Sequence, residues 1–241
     1  MPYYPGYYGF DWTYIVLVLP CILLSMWASS SVNSTFKKYS SHHSIRRITG
    51  AQAAQRVLSH NGVSGVRIER VSGNLTDHFD PRTNVIRLSD AVYDATSVAA
   101  IGVACHEAGH AVQYARHYAP IKVRAAIIPI TNIGSKLAMP LILLGLVLNL
   151  SGGLSNGLVY LGIACFALSL VFQLVTLPVE FNASRRAMVA IADSGILTEE
   201  EQRGARKTLT AAAMTYVAAT AVALSQLIRL IVLFGGRRRD D

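Results

Sequence analysis

Charged residues are scarce in this chain of 241 residues. Asp, Glu, Lys and Arg together make up 15% of it, whereas apolar residues make up 52%. A soluble globular domain carries about a quarter charged residues, so this composition and the mean hydropathy of +0.37 argue against one ordinary soluble domain. The apolar content also excludes an intrinsically disordered chain, because it provides ample surface to bury. We therefore expect an integral membrane protein.

Cysteine is also rare. The three cysteines, Cys21, Cys105 and Cys165, are too few and too scattered for a disulfide scaffold, and two of them lie in strongly apolar runs. We interpret all three as small buried hydrophobic side chains.

Four apolar runs are candidates for membrane-spanning helices, because a bilayer core of about 30 Å needs about 20 helical residues. They are residues 13–32, 137–153, 157–178 and 211–234. The aromatic residues at positions 3–12 resemble an interfacial belt. Without a basic leading segment or a small-residue cleavage site, the first run is predicted to be an anchor and not a cleaved signal.

The second and third runs are separated by a Gly/Ser/Asn turn at residues 151–156 and together predict a transmembrane hairpin. The fourth run contains Gln226 and Arg229, so it either packs them against other helices or lies partly in the interface.

Basic residues are distributed unevenly between the apolar runs. Residues 33–133 carry 12 of the 22 basic residues and residues 179–210 carry five, whereas the leading segment and the hairpin turn carry none. The positive-inside rule therefore places both polar segments in the cytoplasm. Four full crossings would leave Arg237, Arg238 and Arg239 outside, against the same rule. The sequence therefore does not decide whether the fourth run crosses the membrane fully. Because the net charge of +8 follows this topology and no aromatic-interleaved basic patch occurs, we expect no nucleic-acid partner.

The first polar segment has its own secondary structure pattern. Apolar residues at helical spacing predict a helix over residues 44–60, before the turn signal Asn61-Gly62. Alternating residues in 66–69 and 84–88 predict a small β-hairpin or meander. A second helix is predicted from Thr96 to about Tyr118, with Asp94 or Thr96 as its N-cap.

This second helix carries His106-Glu107-Ala108-Gly109-His110, an HExxH arrangement. Histidines four residues apart on a helix are about 40° apart around its axis and about 6 Å apart along it, so both rings can bind one metal ion. Glu107 lies between them, where its carboxylate can take the proton of a water molecule that zinc activates. The alternative is a chance pattern, in which the histidines only bond backbone carbonyls.

The third metal ligand distinguishes the families that share this pattern. His117 follows His110 by seven residues, about 10 Å along the helix, and cannot reach the same ion. Gln113 stands where a metzincin needs Gly. Site-2 proteases use an Asn-Pro-rich motif with Asp, and ATP-dependent membrane proteases need a GxxxxGK[ST] loop, and the sequence contains neither.

Glu180 on a second helix, just after Pro178, is the remaining candidate for the third ligand. The alternative for this carboxylate is an interfacial ion pair with Arg185 or Arg186. Ser184 lies one turn later, where it could hydrogen-bond Glu180 or a ligand histidine, or be a plain surface hydroxyl.

Residues 75–81, 103–113 and 177–187 together resemble the YugP-like neutral zinc metallopeptidases, which are related to the membrane gluzincins that include the CAAX prenyl protease. The resemblance covers essentially the whole chain. It implies one Zn²⁺ per chain bound by His106, His110 and Glu180, with Glu107 as general base. Ser184 and Asn182 stand where related proteins carry Asp, so no role is transferred to them by resemblance. Both remain candidates, with Arg185, for supporting the ligands.

Substrate-binding residues are also predicted. An extended peptide pairs with an edge strand beside the cleft of a zinc peptidase, and Val85, Ile86, Arg87 and Leu88 are placed to form that strand or an interior strand. His78 is our first choice for the group that stabilises the oxyanion, with Tyr93, His117 and Arg185 as alternatives.

The predicted fold is an α+β membrane protein, mostly helical, with a small β-sheet beside the zinc helix as in minigluzincins. Its function would be zinc-dependent hydrolysis of peptide bonds, with membrane lipid and a peptide or protein substrate near the membrane as partners. A site-2-type protease and an inactive membrane scaffold are the alternatives. The predicted segments are the anchor 1–32, the cytoplasmic metallopeptidase region 33–133, the hairpin 134–178, the third-ligand segment 179–210, and the C-terminal helix and basic tail 211–241.

Overall fold

The computed structural model describes residues 11–148 and 153–235. A π-helical segment, Tyr14–Val18, leads into the first helix, and the described elements in chain order are α1 (Leu19–Ser40), α2 (Gly50–His60), β1 (Arg67–Val71), β2 (His78–Asp80), β3 (Val85–Ser89), α3 (Val98–Ala115), α4 (Ala119–Leu148), α5 (Leu154–Asp193) and α6 (Glu199–Phe234). The predicted fold class, a mostly helical α+β membrane protein with a small sheet, is confirmed. Positions 3–10 of the aromatic stretch, residues 151–152 of the hairpin turn and Arg237 to Arg239 lie outside the described residues.

Within the described residues, four helical segments are long and apolar enough to cross a membrane: Tyr14–Ser40, Ala119–Leu148, Leu154–Asp193 and Glu199–Phe234. Each is longer than the apolar run that predicted it, because the flanking polar residues continue the helix. The helix α5 runs through Pro178 to Asp193, and α6 begins 12 residues before the apolar run. The segment that carries Glu180 is therefore the continuation of a candidate membrane span.

The chain divides into two compact units. The sheet-containing unit comprises Ala28–Ile127 and Leu174–Val217, and the helical unit comprises the described parts of Met1–Trp27, Ile128–Gln173 and Ala218–Asp241. The five-segment division drawn from the sequence stays a prediction.

In the helical unit, glycines let α4 and α5 approach closely. A Cβ atom at Gly162 would lie 2.8 Å from the carbonyl oxygen of Ala138, and one at Gly145 would lie 2.7 Å from that of Ser155. Small residues at such contacts are typical of membrane helices. Arg229 of α6 donates its Nε–H to Asp11 Oδ2 at 3.0 Å, which neutralises a cation in an apolar helix.

The sheet has the strand order β1-β3-β2. β2 and β3 form an antiparallel hairpin, with His78 opposite Arg87, whereas β1 pairs parallel to β3, with Arg67 opposite Val85. The prediction that residues 66–69 and 84–88 form a hairpin or meander is therefore wrong, and the strand β2 was not predicted. The connection from β1 leads to the far side of β3, where the Asp77 carboxylate accepts hydrogen bonds from the Ser89 N–H (2.7 Å) and hydroxyl (3.0 Å).

The prediction that Val85, Ile86, Arg87 and Leu88 form an edge strand is also wrong. β3 is the central strand, and its ladder hydrogen bonds are directed to β1 and β2. Val85, Ile86 and Leu88 are fully buried, as in a strand covered on both faces.

The two short helices begin at different residues from those predicted. α2 begins at Gly50, capped by Thr49 in a capping box with Gln52, because residues before it are held by backbone contacts such as Ser44 N–H to Thr96 O at 2.9 Å. α3 is capped by Ser97, and not by Asp94 or Thr96, through a hydrogen bond from the Ala100 N–H to the Ser97 hydroxyl.

The core of the sheet-containing unit lies among α2, α3, α5 and the sheet. Its largest members include Leu58, Ile86, Ile101 and Ile191. Cys105 belongs to this core, as predicted, but Cys21 and Cys165 are only partly buried. A single core thus fixes α3, the helix with the two histidines, on α2 and the sheet.

Gly109 brings α3 against the backbone of α5. A Cβ atom at this position would lie 2.6 Å from the carbonyl oxygen of Ala183, closer than real Cβ contacts. Glycine is required here by the approach of two helices, and the contact is next in sequence to His110 on α3 and Ser184 on α5.

We expect Gly109→Ala to push α5 away from α3, lowering the free energy of unfolding by about 1–3 kcal/mol, as overpacking does, and weakening zinc binding. The matched control on the same helix is Gly102→Ala, whose Cβ would lie 3.4 Å from the Ala205 Cβ. Thermal unfolding in detergent and zinc competition with a chromogenic chelator measure both effects. Equal behaviour of the two variants would contradict the role of this contact.

Candidate metal centre

Three side chains converge between α3 and α5. His106 Nε2 lies 3.2 Å and His110 Nε2 lies 3.5 Å from Glu180 Oε2, and one ligand atom from each of the three residues lies within 4.8 Å of the others. Tetrahedral zinc has ligands about 2.0–2.2 Å away, which are then about 3.4 Å from one another. The measured separations fit one such ion, and two imidazoles with one carboxylate leave a fourth position open.

Each of these three side chains is held through its other polar atom. His106 Nδ1 lies 3.0 Å from Ser184 Oγ, and His110 Nδ1 lies 3.0 Å from Gln113 Oε1. The Arg124 guanidinium donates to Glu180 Oε1 at 2.8 Å. With both Nδ1 atoms protonated, the two Nε2 atoms and Glu180 Oε2 face one point. Such outer contacts fix the orientation of metal ligands and strengthen their binding.

Gln113 links the two helices. It is fully buried, and its amide donates to Val179 O at 2.8 Å and to Asn182 Oδ1 at 3.0 Å on α5, while its carbonyl oxygen contacts His110. The sequence interpretation considered Gln113 only as a position without glycine. Its spacing of three residues from His110 places it on the same helix face and could have identified it.

Arg124 on α4 is the second residue that sequence reasoning missed. Glu180 is only 2% exposed, and burying a carboxylate without a cation is costly. The expected alternative partners do not contact it: Arg185 is exposed, and Arg186 donates to Asn182 Oδ1 at 2.7 Å. The only available signal was a cation early in the long apolar helix α4.

Glu107 lines an open cleft beside these residues. The cleft has a volume of about 330 Å³, and α1, α3, α5, α6 and the segment before β2 all contribute to its wall. Besides His106, Glu180 and Ser184, the lining includes Asn33, Leu75, Asp77, Glu107, Thr215 and Tyr216. The phenol of Tyr216 also interacts with the Glu180 carboxylate. A substrate in this cleft would meet the carboxylate of Glu107 and the metal position together.

Asp77 fixes one wall of the cleft. Burial raises the pKa of its carboxyl above the usual range, although the two hydrogen bonds from Ser89 oppose that shift. Because the buried carboxylate is tied to β3, it holds the segment before β2 against the cleft.

The other predicted site residues lie elsewhere. His78 is exposed, with Nδ1 bonded to Thr76 O at 2.8 Å, and His117 lies in the turn between α3 and α4 with a φ of +53°. Tyr93 stacks under the Arg70 guanidinium at 5.3 Å. None of these three, nor Arg185, is among the described residues that line the cleft. The neighbouring Asp77, and not His78, faces the cleft because successive residues of an extended segment point to opposite sides.

We expect Gln113→Leu to weaken zinc binding about 10- to 100-fold, the usual effect of losing a contact that orients a ligand. The substitution leaves His110 Nδ1 and two acceptors on α5 without their partner. Chelator competition measures the affinity, and circular dichroism with saturating zinc separates this effect from a loss of folding. Leucine at the exposed Gln55 is the control. Unchanged affinity in a folded Gln113 variant would show that the bridge does not support the site.

Comparison with known proteins agrees with this geometry. The chain is 44% identical over 228 residues to the "Putative membrane protease YugP" of Bacillus subtilis (strain 168), which covers 95% of this chain and 99% of that protein. The family model described as "Putative neutral zinc metallopeptidase" matches residues 14–235. No solved structure matches the chain significantly. The chain therefore belongs to this family of neutral zinc metallopeptidases, and its metal is zinc.

Proposed function

We propose that the protein is a membrane endopeptidase that hydrolyses peptide bonds with zinc held by His106, His110 and Glu180. One observation carries this proposal. The only described cluster of His, Cys, Asp and Glu that could hold a metal opens directly into the cleft that Glu107 lines. Two imidazoles and one carboxylate with a free fourth position are typical of catalytic zinc, whereas structural zinc sites are closed by four protein ligands.

The bound zinc would supply Lewis acidity, polarising the scissile carbonyl and favouring loss of a proton from water near neutral pH. The Glu107 carboxylate accepts that proton as the water oxygen forms a bond to the scissile carbonyl carbon, and returns it to the leaving nitrogen as the C–N bond breaks. The Gln113 carbonyl oxygen, which can only accept, keeps His110 in the tautomer with Nδ1 protonated, and Ser184 orients the His106 ring through its Nδ1 atom. Arg124 donates to the second oxygen of Glu180. Among the hydroxyl groups of the cleft wall, that of Tyr216 interacts with Glu180 and can donate to the developing oxyanion.

The site-2-type alternative requires an aspartate as third ligand. Among the described residues, the metal cluster contains Glu180 in that place, and no observation favours the alternative. The inactive-scaffold alternative is decided by activity measurements with metal-site variants.

We predict that Glu107→Gln keeps one zinc per chain but lowers kcat about 100- to 10,000-fold, the contribution of a general base. His106→Ala and Glu180→Ala lose the metal. Metal analysis of purified protein and cleavage of a mixture of quenched-fluorescent peptides measure the two properties. Chelation should abolish the wild-type activity, and added zinc should restore it.

These variants also separate the alternatives. Full zinc content in Glu180→Ala would overturn the ligand assignment and favour a site-2-type arrangement. Wild-type protein without stoichiometric zinc, acting like Glu107→Gln on every peptide, would show an inactive homologue.

We further propose that the zinc site faces the cytoplasm. The segments that carry most of the basic residues, 33–133 and 179–210, also carry the three ligands, and the positive-inside rule favours the cytoplasm for them. Hydrolysis would then take place at the inner membrane surface.

The orientation is tested by maleimide labelling of single cysteines, introduced into a variant whose three natural cysteines are replaced by alanine. We expect the labelling to show on which side of the membrane each cysteine lies. Gln55→Cys and Glu200→Cys, both at exposed positions, should react with a membrane-impermeant maleimide only after the cells are permeabilised. Leu154→Cys, at the exposed start of α5, should react in intact cells. The reverse pattern would place the site outside.

A further inference from the structure

A second cavity extends along the same pair of helices as the metal centre. It has a volume of about 500 Å³ and lies between the end of α5 and the start of α6. Ser184, Leu209 and Ala213 line both this cavity and the cleft. From the cleft, with Glu180 and Tyr216, the lining continues to Asp193 and Gln202. One extended ligand could therefore occupy the cleft and the cavity together.

The wall of this cavity combines apolar side chains with unpaired cations. Phe181 and Val189 are 48% and 52% exposed, although both are large and apolar. Arg185 on α5 and Arg206 on α6 are both exposed, and neither makes an ion pair or hydrogen bond within the described part of the chain. Arg186, next to Arg185, is by contrast bonded to Asn182 and stacked at 5.8 Å on Tyr118.

The two arginines line the same cavity from different helices, and neither forms an ion pair with a carboxylate among the described residues. Asp193, the acidic residue that lines the same cavity, is already 3.5 Å from His60 Nε2. Two guanidinium groups without an anionic partner are complementary to a carboxylate, which arginine can bind through two parallel hydrogen bonds. The complementary ligand is therefore apolar with one acidic group.

We propose that this cavity is a substrate subsite that selects peptides carrying an acidic group, a side chain or the terminal carboxylate, beside an apolar residue. The inference rests on the proposed peptidase function and adds its specificity. Arg185 lies five residues beyond Glu180, about 7.5 Å along the helix, and an extended peptide advances about 3.3 Å per residue. The acidic group would thus lie two to four residues from the scissile bond.

The wall that the cavity shares with the cleft favours a peptide over an anionic lipid headgroup. A lipid bound to the arginines alone would need no contact with the cleft, whereas a substrate must reach the metal centre as well. If the arginines bound only lipid headgroups, the proposal would be overturned.

The test uses full-length, zinc-loaded protein in nanodiscs of phosphatidylcholine. Quenched-fluorescent peptides that the wild type cleaves are compared with versions that carry Glu or Gln two, three or four residues from the cleaved bond. We expect a kcat/KM about five- to tenfold higher for Glu at the preferred position, from two partly exposed ion pairs, expressed mainly in KM. The preference should shrink as salt is raised.

The decisive variant is the double substitution Arg185→Gln with Arg206→Gln. The ratio of kcat/KM between the Glu and Gln peptides should fall to about one, and Arg185→Glu with Arg206→Glu should instead favour a Lys peptide. Arg203→Gln removes one charge from an exposed position on α6 outside the cavity lining and should keep the wild-type ratio. A ratio that persists in the double variant would overturn the subsite.

A peptide-binding measurement tests the subsite independently of catalysis. Zinc-loaded Glu107→Gln is titrated into fluorescein-labelled Glu and Gln peptides, and we expect about five- to tenfold tighter binding of the Glu peptide, lost with Arg185 and Arg206. If no peptide is cleaved but this difference is seen, the peptidase function fails and the subsite stands. Equal binding of both peptides overturns the subsite. So does an effect of the arginine substitutions that appears only with phosphatidylglycerol in the nanodiscs and is the same for both peptides.

Discussion

The burial of the Glu180 carboxylate, which needs compensation by positive charge, is the constraint on which this structure depends. Glu180 is almost completely removed from solvent, and an uncompensated anion there would be costly. One oxygen of Glu180 is bonded to Arg124, and the other faces both Nε2 atoms of the histidines on α3. In the metal-loaded protein, zinc supplies the second positive charge. The site can therefore form only where α3, α4 and α5 meet.

The surrounding sequence meets the geometric requirements of that contact. Gly109 allows the backbones of α3 and α5 to approach, and the uncharged Gln113 connects them through two hydrogen bonds to α5 and a third to His110. Both features lie on the helix that is fixed by the core, so the histidines are presented by a rigid element. Sites held by packed helices keep their ligands within the narrow tolerance that a metal requires.

The long helices connect this chemistry to the membrane. The helix α5 continues from a candidate span through Pro178 into the segment that carries Glu180, and beyond it into the wall of the cavity with Arg185. The proposed metal ligand Glu180 and Arg185 of the proposed subsite thus lie on one continuous helix. Because a helix rises about 1.5 Å per residue, its sequence spacing sets the distance between the cleaved bond and the group that the arginines would bind.

The sequence by itself determined what is local or repetitive. Helical spacing placed His106 and His110 on one face of α3 with Glu107 between them, and the apolar runs predicted four long helices. Exclusion of His117 and of the motifs of other families left Glu180 as the candidate third ligand. Tertiary structure decided which side chains contact the candidate ligands and which strands pair. Arg124 and Gln113 contact residues 56 and 66 or more positions away, and the parallel pairing of β1 with β3 depends on the path of a connection. Periodicity describes one element at a time, whereas such contacts depend on how separate elements pack, which no pattern in one element encodes.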